Sequence, residues 1–371
     1  MEACYEAVRT RVCLCDVHQD DEGGEHVLRT WLGVCKEKYG ATDARTLDCM
    51  STLGRFMVLQ GKLAEAKVLY SECLAARRAT LGPKHEYTLD SMRELAVFLR
   101  EQGNLVEAVL LMREALDTAR AALGPQHGST LLCISSLAGM LEDLGKLSEA
   151  EALYREALEV RLATLGPKHH YTLTLMSDLG VLLMEQGRRA EAEPLLRGVL
   201  EETRATQGSL HPGTLTCMNN LGALLLDLGK LGEAEALSRE ALEATRTVLG
   251  AQHPSTLIST SNLSALLYSQ GRLGEAEPLI HEVLSSQRAS LGSQHPDTFF
   301  SMYNLGTLLE VQGKFREAEA LFSEALTGSW RVLGREHSTT QDACTALVRV
   351  LTAQGKARDA RDVKAQYGAR K

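Results

Sequence analysis

Glycine returns every 42 residues in this chain, and no other feature narrows its fold as far. Counting from Gly40, the interval lands on Gly82, Gly124, Gly166, Gly208, Gly250, Gly292 and Gly334 without a slip. A second ladder of the same period, Gly61, Gly103, Gly145, Gly187, Gly229, Gly271, Gly313 and Gly355, runs midway between the first. Each unit is therefore two segments punctuated by two glycines. A period of this length is the mark of a stacked-repeat architecture.

Residues 208 to 250 form one complete unit. In its first segment Leu215, Met218, Gly222 and Leu225 fall on one stripe of a helix, and nothing alternates with period two. The second segment is filled with strong helix formers. It carries Leu231, Ala234, Ala241 and Leu242 as its apolar set, with Glu235 four residues before Arg239 on an exposed face. One hairpin of this size cannot bury its apolar stripe alone, so neighbouring copies must stack into a continuous core. The period thus predicts an all-α solenoid of stacked helical hairpins wound as a right-handed superhelix, with no strand.

The stretch NNLGALLLDLGKLGEAEAL followed by ALEATRTVLGAQHPST resembles the tetratricopeptide repeats of kinesin light chains and nephrocystin-3-like proteins. The shared pattern is NL[AG]xLL, then GK[YL]xEAE, then AL, then LGxxHP, and the resemblance covers roughly residues 40 to 355. It implies a non-catalytic adaptor or scaffold that holds an extended peptide in the concave groove of the solenoid. A self-associating structural repeat protein is the alternative. Kinesin light chains bind their motor chain through a long heptad coiled coil, for which residues 1 to 40 are too short and irregular, so kinesin heavy chain is not an expected partner.

Residues 1–40 read as a degenerate N-terminal capping hairpin, 41–337 as seven 42-residue hairpins, and 338–371 as a C-terminal hairpin with a polar capping helix. In the first of these, residues 3 to 17 and 25 to 38 are the two helices, with Leu28, Trp31, Leu32 and Cys35 facing inward and Gln19 to Gly24 as the loop. Further on, first helices are expected near 44–60, 86–102, 128–144, 170–186, 212–228, 254–270, 296–312 and 338–354. The helix Arg358 to Lys364 is polar on nearly every face, as a terminal repeat with no neighbour beyond it should be.

A formal net charge of −8 with mixed signs argues against nucleic acid or an anionic membrane as partner, since either would want a basic face. No apolar run approaches the ~20 residues of a membrane span. Nine scattered cysteines suit a reducing compartment better than a disulfide scaffold. A cytoplasmic protein is expected.

Chemistry finds little support. No phosphate loop, GxSxG or HExxH motif occurs, so no catalytic residue and no cofactor is assigned. His85, His127, His169, His211, His253, His295 and His337 recur one repeat apart without chelating spacing. They are expected to close the corner before each first helix, where Pro212, Pro254 and Pro296 take the first helical position. Cys4, Cys13, Cys15 and Cys35 lack CxxC spacing, so small apolar residues explain them better than a zinc site. Arg78, Arg120, Arg204, Arg246 and Arg288, and the EAE glutamates such as Glu149, Glu233 and Glu235, sit where the helix dipole alone accounts for their charge. Pro194 and Pro278 fall inside second helices, where proline is costly.

A second stripe remains on the first helices. Thr216, Asn219 or Asn220, Ala223 and Asp227 are offset from the Leu/Met stripe, and position 220 recurs as Asn262 and Asn304, with Asp178 and Ser136 earlier in the series. By resemblance, the matching asparagines hold the backbone of a bound peptide. An amide offers both donor and acceptor, so it can bracket a peptide unit of any sequence. A purely interhelical role for these asparagines is the competing reading. Phe299, Phe300 and Tyr303 add either an aromatic wall or core. Between residues 212 and 270 the first helices carry one charge, Asp227, so the acidic tryptophan-containing cargo of kinesin light chains is not implied. The expected peptide-binding residues are Asp178, Asn219, Asn220, Asn262, Tyr303 and Asn304.

Overall fold

A computed structural model describes residues 21–335 and 337–368, and every element among them is a helix. The chain divides into two compact units, residues 1–164 and 165–371. The first contains α1 (Asp21–Tyr39), α2 (Ala44–Leu59), α3 (Leu63–Thr80), α4 (Glu86–Glu101), α5 (Leu105–Leu123), α6 (Gly128–Asp143) and α7, whose helix Leu147–Leu165 ends at the division. The second begins with α8 (His170–Glu185), α9 (Arg189–Gln207), α10 (Pro212–Asp227), α11 (Leu231–Leu249) and α12 (Pro254–Ser269). It continues with α13 (Leu273–Ser290), α14 (Pro296–Val311), α15 (Phe315–Val332), α16 (Ser338–Ala353) and α17 (Ala357–Tyr367). The periodicity placed the first helices to within a residue or two.

At the N-terminal end the expected loop is corrected. Helix α1 starts at Asp21, so residues 21–24 are its first turn, because Asp and Glu there suit a helix N-terminus. Leu28, Leu32 and Cys35 are buried, whereas Trp31 is only half-buried. The expected helix over residues 3 to 17, and Cys4, Cys13 and Cys15 with it, lie outside the described residues.

The two glycine ladders do different work. Midway glycines end the first helices: the Gly229 N–H bonds to the Leu226 carbonyl and the Lys230 N–H to the Leu225 carbonyl, both at 2.9 Å. These bonds define a Schellman turn, and Gly229 supplies its positive φ of 70°. The glycines between repeats adopt a different backbone. Gly250 combines φ 88° with ψ 164°, an extended mirror-image backbone open only to glycine. The next helix then starts on a histidine. His253 Nδ1 accepts from the Ser255 N–H at 3.2 Å, and His85, His127, His169, His211, His295 and His337 cap their helices in the same way. Thr256 closes the corner by donating to the Gly250 carbonyl at 2.7 Å. Pro194 and Pro278 are exposed and leave α9 and α13 continuous.

Each unit buries its own core, with Leu47, Met57, Met92 and Ile134 in the first and Leu215, Met218, Phe299 and Phe322 in the second. Gly306 owes its place to this packing, since a Cβ there would stand 2.7 Å from Phe322 Cε1.

Two expectations about surface charge need revision. Arg204, Arg246 and Arg288 do lie in the last turn of second helices, but each also pairs with a glutamate one repeat on: Glu240 at 2.8 Å, Glu282 at 2.6 Å and Glu324 at 2.7 Å. The first unit repeats this with Arg78–Glu114 and Arg120–Glu156. The EAE glutamates are likewise held by more than the dipole. Glu233 pairs with Arg197 at 2.6 Å, Glu235 with Arg272 at 2.7 Å, and Glu149 with Arg113. No helix among the described residues is long and apolar enough to cross a membrane.

Candidate peptide-binding stripe

All the expected site residues fall in the second unit, on the first helices α8, α10, α12 and α14. One face of each of these helices is consumed by packing, as Leu215, Met218 and Leu225 show on α10. The stripe beside it stays open. On α8 it runs through Thr174, Asp178 and Val181, on α10 through Thr216, Asn220 and Ala223, on α12 through Ile258, Asn262 and Ala265, and on α14 through Phe300, Asn304 and Thr307. In each case the residue one turn before the central polar group is exposed. The helical spacing of 3.6 is what puts i−4, i and i+3 on one side.

The asparagines divide into two kinds. Asn219 is buried, and its Oδ1 accepts from Ser259 Oγ at 3.0 Å, joining α10 to α12. Asn220 is half-buried and donates through Nδ2 to Ser177 Oγ of α8 at 3.2 Å, while its carbonyl oxygen bonds to nothing among the described residues. The interhelical reading thus describes Asn219 fully and Asn220 in part. Asn262 and Asn304 are different. Neither side chain makes a hydrogen bond among the described residues, and neither amide is sealed away from solvent.

Aromatic residues also divide. Phe299 is fully buried core, whereas Phe300 is 58% exposed. Tyr303 is half-buried, with its ring 5.8 Å from that of Phe322. Ile258, 54% exposed, is the residue that sequence reasoning passed over. The signal was available: Ile258 and Phe300 are apolar at a register where α8 and α10 carry Thr174 and Thr216. The serines that engage Asn219 and Asn220 were also missed, because no pattern within one helix reveals a partner some forty residues away.

Charges near the stripe are mostly neutralised. Asp227 meets Arg189 at 3.1 Å, and Glu310 forms a two-pronged pair with Arg349 of α16, both contacts at 2.6 Å. Asp178 makes no hydrogen bond or ion pair among the described residues, and burial alone pushes its carboxyl up to about 6.

Six overlapping matches to the tetratricopeptide repeat family cover residues 45–121, 87–163, 130–201, 171–247, 219–280 and 255–329. The chain belongs to the tetratricopeptide repeat family. A Podosopora anserina putative kinesin light chain with nearly identical tetratricopeptide-like repeats is 27% identical over 56% of this chain and 98% of its own, with TM-score 0.48. The apo quorum sensor NprR of B. thuringiensis, 13% identical, matches 99% of this chain and 98% of its own at TM-score 0.61. A tetratricopeptide repeat protein from Parabacteroides merdae, 16% identical, matches 82% and 98% at TM-score 0.54. At these identities the last two likenesses establish the fold alone. No curated protein matches the chain in sequence. In general terms a tetratricopeptide repeat array is a protein-interaction scaffold.

The stripe of these tetratricopeptide repeats takes another character in the first unit. Thr52, Glu94 and Ser136 stand at the asparagine register, and Glu94 is occupied by Ser51 Oγ at 2.6 Å. Asp48 is held by Arg77 at 2.6 Å, and Asp143 by Arg100. A cavity between α5 and α7 has both its arginines paired, Arg113 with Glu149 and Arg120 with Glu156. Among the described residues no group of three or more His, Cys, Asp and Glu side chains is placed to hold a metal ion. The six described cysteines are all buried, with Cys49 pushed up to about 12 and Cys133 to about 11 by desolvation, which leaves them inert thiols.

Proposed function

We propose that this tetratricopeptide repeat protein is a non-catalytic adaptor that holds an extended peptide segment of a protein partner along the open stripe of α8, α10, α12 and α14. The observation that carries this reading is the pair Asn262 and Asn304, two amides with no partner among the described residues, each beside an exposed apolar side chain one turn away. A protein fold leaves such amides unpaired at little cost only where solvent or a ligand reaches them. Asn220 contributes a carbonyl oxygen unpaired among the described residues, Tyr303 lies one residue before Asn304 on α14, and Asn219 ties α10 to α12. A cytoplasmic setting and a partner other than nucleic acid fit the acidic net charge.

The test is the double substitution Asn262→Ala and Asn304→Ala, assayed against decapeptides selected on the intact protein. Two lost hydrogen bonds at about 0.5–1.5 kcal/mol each weaken binding about 5- to 150-fold. Unchanged affinity in a folded variant would sink this assignment.

A further inference from the structure

We propose that the segment received by this stripe carries a lysine or arginine that pairs with Asp178, and an apolar side chain further along that seats at Ile258 and Phe300. This rests on the peptide-binding reading above and adds the chemistry of the ligand. Asp178 occupies the register that Asn220, Asn262 and Asn304 occupy on the following first helices, with exposed Thr174 one turn before it. It is therefore part of the same stripe. Asp227 and Glu310, carboxylates on other first helices, each have an arginine, and Asp178 has no counter-charge among the described residues.

A carboxylate stripped of water and left without a donor is unfavourable, and a guanidinium or ammonium brought by a ligand restores what burial removed. A single carboxylate is too few ligands for a metal ion. The charge also sets the sign of the partner: an acidic segment would be repelled at this end. Apolar recognition lies elsewhere on the stripe. Ile258 and Phe300 are exposed by more than half, on α12 and α14, two and three repeats beyond α8. Adjacent helices pack at roughly 8–10 Å, and an extended chain advances about 3.3 Å per residue, so the basic and apolar side chains sit about five to nine residues apart.

The titration of Asp178 gives a second handle. Helices α9 and α10 pack against α8, and of their titratable groups only the Cys217 thiol interacts with this carboxyl; no charge on either helix offsets its burial. Ligand binding that uses the ionised carboxylate weakens as pH falls through about 6.

The experiment pans a library of fully randomised twelve-residue peptides on the full chain, and repeats it with Asp178→Asn and with the Ile258→Ser, Phe300→Ser pair. Circular dichroism confirms that each variant is folded. Wild-type selections are expected to show Lys or Arg about five to nine positions from Ile, Leu or Phe. Asp178→Asn loses the basic preference and binds a wild-type-selected peptide about ten-fold more weakly at pH 7.5, while the double variant loses the apolar preference and keeps the basic one. Replacing the peptide's lysine by norleucine should cost the wild type ten-fold and the Asp178→Asn variant almost nothing. Peptides selected without a basic preference, or an affinity indifferent to Asp178→Asn, overturn this inference and leave the groove reading standing. A library that yields no binder on the wild type overturns both.

Discussion

Arg272 Nη1 lies 2.7 Å from Glu235 Oε1, across the step from one hairpin to the next. Glu235 also accepts from Gln270 Nε2 at 3.0 Å and from Arg239 in its own helix. The basic residue after Gly229, Gly271, Gly313 and Gly355 thus reaches back to the second glutamate of the preceding EAE. Lys230–Glu193, Lys314–Glu277 and Lys356–Glu319 repeat the contact at 2.5, 2.7 and 2.6 Å, and Lys62–Glu25 does so in the first unit. The signature couples neighbouring repeats, which helix-dipole reasoning within a single repeat does not reveal.

This clamp predicts an acid-sensitive increment of stability. Arg272, with Gln270 and Arg239, holds the Glu235 carboxyl down to about 2, against an ordinary value of 4.5. A depressed carboxylate contributes stability that is present above 4.5 and lost as pH falls toward 2. Because the pair is half open to solvent, Glu235→Gln should cost only about 0.5 kcal/mol at pH 7. Urea titrations at pH 7 and pH 3 check it: the difference between variant and wild type should fall to less than half at the lower pH, and should shrink in high salt.

Asn219 is expected to behave as a staple. Asn219→Ala removes the acceptor of the Ser259 hydroxyl between α10 and α12, at about 1 kcal/mol of stability. Peptide affinity should not change. Equal stability losses from Asn219→Ala and Asn262→Ala in a thermal scan would contradict the division of the asparagines drawn above.

The histidine caps make a local prediction. Asp43 holds the same register before α2, where its side chain accepts from the Arg45 N–H at 3.0 Å. An aspartate should therefore substitute for histidine. His253→Ala is expected to cost about 1 kcal/mol, and His253→Asp close to nothing, in denaturant unfolding at pH 7.

Asp178→Asn should stabilise the free protein while weakening its ligand. The folded-state carboxyl titrates near 6, above the ordinary 3.8, so its protonation favours the fold. That contribution is complete below 3.8 and is lost as pH rises through about 6. Two units correspond to about 3 kcal/mol at most, and solvent access to the half-buried group reduces this to about 1 kcal/mol. Melting curves at pH 7.5 should show the variant above the wild type, and the two should converge toward pH 4.

The sequence by itself determined the helices, most of their boundaries and the turns at the midway glycines, because each depends on residues a few positions apart. Gly229 must adopt positive φ to end α10, and His253 must meet the N–H two residues on. The apolar spacing of Leu215, Met218 and Leu225 told which face packs, since that spacing is a property of one helix. Only the tertiary structure decided what the polar groups do. Asn219 and Asn220 are neighbours of one chemistry, yet Asn219 is spent on Ser259, Asn220 gives half its capacity to Ser177, and Asn262 at the latter's register meets no such partner among the described residues. The same holds for Phe299 in the core and Phe300 in the open. A hydrogen bond is won or lost over tenths of an ångström. Those distances are set by how one 42-residue unit settles on the next, about which the pattern inside a unit is silent.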